Sequence, residues 1–114
     1  MPNDTQRQTL ASAVAMIRAA EQALLQAGQN STDAVELGKI NLQYSHLDSL
    51  MSQLLHAQAV ADDTAFAATT AALKQQAATL QAQEDAIKKI ISDVALAAQI
   101  IGYITQAAGF IAGL

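Results

Sequence analysis

Two histidines, His46 and His56, are the side chains here with the widest chemical range. On one helix their spacing puts them about 15 Å apart along the axis and about 80° out of phase. That is too far to share a metal ion, whose ligand bonds are near 2 Å. Neither has a carboxylate three or four residues away, so neither is oriented for acid–base work. The carboxylates pair as Asp62–Asp63 and Glu84–Asp85, with Asp33 and Glu36 one turn apart. Adjacent residues on a helix point to different faces, so these pairs do not form a two-carboxylate site. They suit helix capping and a solvated patch in which Glu84 and Asp85 face Lys88 and Lys89 at i,i+4.

The sequence contains no Glu-x-x-His of a di-iron bundle, no glycine-rich phosphate loop, no nucleophile elbow and no His-Glu-x-x-His. There is no cysteine, hence no disulfide and no thiolate metal site. No catalytic residue, metal ligand or cofactor site is expected, and an enzyme is not expected.

The elements that would position any function are helices. Of 114 residues, 26 are Ala and 14 Gln, against one Pro and five Gly. Ala and Gln favour helix, and the β-branched and aromatic residues that strands want are sparse. The net charge of −4, with six scattered basic residues, excludes a phosphate-neutralising stripe and so argues against nucleic acid. The polar N-terminal residues, Met-Pro-Asn-Asp-Thr-Gln-Arg, carry no apolar signal core, so the expected location is cytoplasmic or reached without a cleaved signal. Asn30-Ser31-Thr32 matches a glycosylation sequon but is better explained as helix-start chemistry.

Asp4 or Thr5 can cap a first helix, with Thr5 and Gln8 as a capping box. Leu10, Val14, Ile17 and Leu24 form its stripe, and Gly28 is placed as its C′ residue, giving a helix over about 5–27. Asp33 opens a second helix over about 33–61, whose seam is Ile40, Tyr44, Leu47, Met51, Leu54, Gln58 and Ala61. Asp62, Asp63 and Thr64 mark a turn. From Phe66 a heptad pattern then runs in phase through Thr70, Leu73, Ala77, Leu80, Glu84, Ile87, Ile91, Val94, Ala98, Ile101, Thr105 and Ala108 to Ala112. This predicts an unbroken third helix over about 64–112 in an antiparallel three-helix, coiled-coil-like bundle.

After Asp93 no charge appears for 21 residues, Val94 to Leu114. Apolar residues surround most of this segment, which marks a helix buried in protein or in lipid. An unbroken third helix would approach about 75 Å, against about 43 Å for the second. The apolar extension therefore projects past its own bundle, or bends back near Gly102. Gly109 and Gly113 form a GxxxG, and Ala98 with Gly102 its small-xxx-small counterpart, spacings that let another helix approach closely. The Ala- and Gln-rich style with an apolar end loosely resembles helical bacterial secretion-system components and helical pore-forming toxins, without a motif that assigns it to a family.

These features predict an interaction protein that self-associates or docks to a helical partner. The contact residues are Val94, Ala98, Ile100, Ile101, Gly102, Ile104, Gly109, Phe110, Ile111 and Gly113, with burial worth roughly 2 kcal/mol per large side chain. Two alternatives carry less weight: membrane insertion of residues 94–114, and an apolar groove for a ligand or peptide. As a membrane span the segment is weakened by Gln99, Thr105, Gln106 and its glycines.

Overall fold

The computed structural model describes residues 3–114. The chain is all-α: α1 is Asp4–Asn30, α2 Ala34–Ala59, α3 Asp63–Ala77, α4 Leu80–Ile90 and α5 Val94–Ala112. Among the described residues there is no strand.

Side-chain caps set most of the boundaries. Asn3 caps α1, its Oδ1 accepting from the Gln6 backbone N–H at 2.8 Å while Gln6 Oε1 accepts from Asn3 N–H at 3.0 Å. The capping box is therefore Asn3–Gln6, two residues before the Thr5–Gln8 box read from the sequence, because Asn caps at least as well as Thr. Asp33 accepts from Val35 N–H, and Asp62 from Ala65 N–H, at 2.9 Å each, so α2 and α3 start where turn chemistry places them.

Gly28 is not a C′ residue. α1 runs on to Asn30, and no described glycine has a positive φ. A Cβ at Gly28 would meet Leu37 Cδ1 at 3.2 Å, so glycine here serves close approach of α1 and α2.

The expected third helix is interrupted twice. At Ala78–Thr79 one turn tightens, with Thr79 N–H and Oγ1 both donating to the Gln76 carbonyl; the dihedrals stay right-handed, so α4 continues the path of α3. At Ile91–Asp93 the backbone becomes extended, with ψ of 116° at Ile91 and 101° at Asp93, and the chain turns back. Asp93 then caps α5, its carboxylate accepting from Leu96 N–H at 3.1 Å.

The result is a bundle of four arms: α1, α2, the α3–α4 arm, and α5. It is not the three-helix arrangement with a long third helix. α1 packs on α2 and α5, and the α3–α4 arm packs on both α2 and α5, closing the ring. The C-terminal end of α1 and the turn after it lie beside Ile91–Asp93 at the start of α5, so α5 runs antiparallel to α1. The body measures 47 × 20 × 20 Å, close to the roughly 40 Å length of α1. The apolar extension does not project. It folds back at Ser92–Asp93, not at Gly102, and supplies the fourth wall of the core.

The reversal shifts the seam by one residue. Ala97, Ile100, Ile104, Ala107 and Ile111 are buried, whereas Ala98, Thr105 and Ala112 of the expected seam are exposed. With Leu96 these residues join Leu10, Ile17, Leu24, Leu47, Leu54, Leu73 and Ile87 in one hydrophobic core.

Candidate functional site

The segment read as a contact surface divides into two faces. Ile100, Ile104 and Ile111 are fully buried against the rest of the bundle, so they hold α5 to its own chain and offer nothing to a partner. Phe110 is half-buried against the same core. Val94 is 80% exposed, Ala98 is exposed, and Ile101 and Gly102 are half-buried. These four share a groove between α5 and α4. Ile91 and Ala97 complete its apolar floor, and Gln81, Glu84, Asp85 and Lys88 of α4 form its rim, around a volume of about 590 Å³.

A hydrogen bond beside the groove ties its polar rim to α5. Thr105 Oγ1 donates to Glu84 Oε1 at 2.7 Å, joining α5 to α4. Both residues belong to the heptad pattern read from the sequence, and Glu84 is its one charged member. The pairing gives that carboxylate a partner where an apolar side chain would otherwise sit. An Asp or Lys side chain on α5 would add a further anchor, but α5 carries no charge, and apolar packing dominates its attachment.

Gly109 and Gly113 are exposed near the end of α5. A Cβ at Gly102 or Gly109 would meet nothing within 4 Å, and at Gly113 only backbone oxygens of the same helix. Among the described residues no helix uses the GxxxG spacing for close contact. Other exposed apolar side chains, such as Val35, Leu42 and Leu55, are dispersed along α2, the ordinary condition of a protein surface.

A second polar constellation escapes the sequence reading. Glu21 of α1 is only 6% exposed and faces Tyr44 and Asp48, one turn apart on α2. Burial, then a hydrogen bond and charge repulsion from Asp48, push the Glu21 carboxyl up to about 7 from the usual 4.5; Tyr44 and Arg18 pull more weakly the other way. Tyr44 is raised in turn, mainly by the Glu21 charge, and remains a protonated hydrogen-bonding partner near neutrality. The sequence signal was present: the α1 stripe steps by four and three, then jumps seven from Ile17 to Leu24, and Glu21 occupies the skipped seam position.

Neither histidine contributes to this cluster, and both are exposed. Among the described residues no three His, Cys, Asp or Glu side chains gather to hold a metal ion. No family model, no curated protein and no solved structure matches this chain.

Proposed function

We propose that the chain is a helical interaction protein that docks an amphipathic helix of a partner in the groove between α4 and α5. The observation that carries this reading is the α4–α5 groove itself: an apolar floor with Val94 80% exposed, beneath a rim that holds Glu84 and Asp85 against the single Lys88. Helix-in-groove recognition uses an apolar stripe of the incoming helix at i, i+3, i+4 and i+7. The acidic rim and the net charge of −4 favour a stripe flanked by lysine or arginine, and disfavour a second copy of this chain.

A synthetic helix of leucine and lysine, about 18 residues long with one apolar face, tests this. It is expected to shift the amide resonances of Val94, Ala98 and Ile101, while a leucine–glutamate helix of the same pattern does not. Ala98→Arg, at an exposed position, fills the groove and adds repulsion. It should weaken binding at least about tenfold, or 1.4 kcal/mol, with unchanged thermal stability. Unmoved resonances with the leucine–lysine helix overturn the reading. A dimer in light scattering that Ala98→Arg dissolves would replace the partner helix with a second copy.

A second reading rests on α5 as a whole. Its 19 residues have a mean hydropathy of 1.6 and only a third of the apolar window is buried. Its length of about 28 Å is close to the roughly 30 Å of a hydrocarbon core. On this reading the bundle is the water-soluble packing of a helix that transfers into lipid. The chain should then float with phosphatidylglycerol-containing vesicles at mildly acidic pH and release an entrapped dye. Absence of both removes the reading.

A further inference from the structure

The two walls of the α4–α5 groove are chemically unlike. The α4 wall carries all of the charge: Glu84 and Asp85, with Lys88 one turn nearer the reversal at Ile91–Asp93. The α5 wall is Ala98 and Gly102, in a helix without a single charged residue. Nothing on that wall is larger than a methyl group. A Cβ at Gly102 would meet nothing within 4 Å, so the space over the glycine is open.

This difference decides what each side of an incoming helix can be. Such a helix turns its apolar stripe to Ile91, Ala97 and Ile101, one flank to α4 and the other to α5. On the α4 side a lysine or arginine meets Glu84 and Asp85. Glu84 keeps a carboxylate oxygen for it, because Thr105 Oγ1 occupies only Oε1. On the α5 side a long cationic side chain finds no counter-charge, gives up hydration and holds the two backbones apart. Small residues there let two helices close to a short separation, as facing small-xxx-small surfaces do. The apolar stripe then reaches the floor.

We propose that the groove selects a helix with two different flanks, lysine or arginine toward α4 and alanine, glycine or serine toward α5. The inference rests on the groove being a helix-docking site, and adds what the partner's two sides must be. It also fixes direction. With the apolar stripe held on the floor, reversing a helix exchanges its flanks, so a given helix of this kind fits only one way round.

The test starts from the leucine–lysine helix, which has lysine on both flanks, and two derivatives with alanine in place of the lysines of one flank or of the other. Both derivatives should bind the full chain at least about threefold more tightly than the parent, read from the Val94, Ala98 and Ile101 amide resonances. Unspecific attraction to a protein of net charge −4 orders them the other way, since the derivatives carry less positive charge. The derivatives should also lie in opposite directions. A nitroxide at the N-terminus should broaden the Val94 amide with one and the Gly102 amide with the other, positions about 12 Å apart along α5. Gly102→Leu fills the α5 side at a position of better helix propensity. It should melt normally and bind all three helices alike; should it fail to fold, Ala98→Leu at an exposed position carries the same comparison. A parent that binds as tightly as its derivatives, one direction for both, or an advantage that survives in the folded variant overturns the proposal. Shifts at Val94, Ala98 and Ile101 would in that case still uphold the groove as a docking site. No shift with any of the three helices overturns both.

Discussion

Truncation after Asp93 should abolish cooperative unfolding. Without α5 the stripe of α1 loses the helix on which it packs most extensively. Leu96, Ile100, Ile104 and Ile111 leave the core with it. At about 2 kcal/mol for each large side chain, their loss is comparable with the entire net stability of a small domain, about 5–15 kcal/mol. The residues they cover on the other helices are uncovered at the same time. The fragment should keep much of its far-ultraviolet helix signal, bind a hydrophobic dye and melt without a sharp transition. A single substitution reports the same interaction on a smaller scale: Ile104→Ala should cost about 2–5 kcal/mol in urea unfolding. An extension projecting from a self-sufficient bundle predicts the opposite. A 1–93 fragment that unfolds as cooperatively as the whole chain, near the same temperature, would return α5 to that role.

Glu21→Gln should remove a fall in stability with rising pH between mildly acidic and neutral solution. The Glu21 carboxyl titrates near 7 in the folded protein, against 4.5 for its usual value. Between these values the folded state binds more protons than the unfolded state, so stability falls as pH rises through this window. The direction is opposite to that of a carboxylate held by a salt bridge. Below about pH 4.5 the neutral acid and the glutamine should be close to equivalent. Above pH 7 the wild-type chain must hold a carboxylate beside Asp48 in a buried position, whereas the amide carries no charge.

The variant should therefore be more stable at pH 8 by roughly 3 kcal/mol, from 1.36 kcal/mol per pKa unit over the rise from 4.5 to about 7. Of the groups facing Glu21, Asp48 and Tyr44 come from α2 and Arg18 from α1, and α5 brings no charge. Urea unfolding of both proteins at pH 5 and pH 8 isolates the effect. If the difference between them is the same at the two pH values, Glu21 does not carry the extra proton.

The helical class and several boundaries were legible because they rest on local chemistry. Asp33 and Asp62 cap the helices they announce, and the α2 seam of Ile40, Leu47, Met51 and Leu54 is buried as its spacing requires. The reversal at Ser92–Asp93 was not legible from periodicity, for a physical reason. Beyond the turn, α5 carries two apolar stripes offset by one residue, and the stripe through Ala98 and Ile101 continues the phase of α3 and α4. Period alone cannot choose between them. Side-chain volume does, since burying Ile104 and Ile111 removes more apolar surface from water than burying Thr105 and Ala112. The local sign of the turn was Asp93 in its role as a cap before an apolar run. The groove exists because the unchosen stripe is left facing outward beside α4.

The closure of α5 onto α1 also orders events in time. On the ribosome α1 is made first and its principal partner last, with α2, α3 and α4 between them. At about 5–20 residues per second, Leu10, Ile17 and Leu24 wait seconds for the surface that finally covers them. Pairing of α1 with α2 can begin early, because that contact is near in the chain; the last wall needs a long-range closure. A nascent chain stalled before Val94 should therefore be a chaperone client, and release of α5 should be the step that ends its dependence.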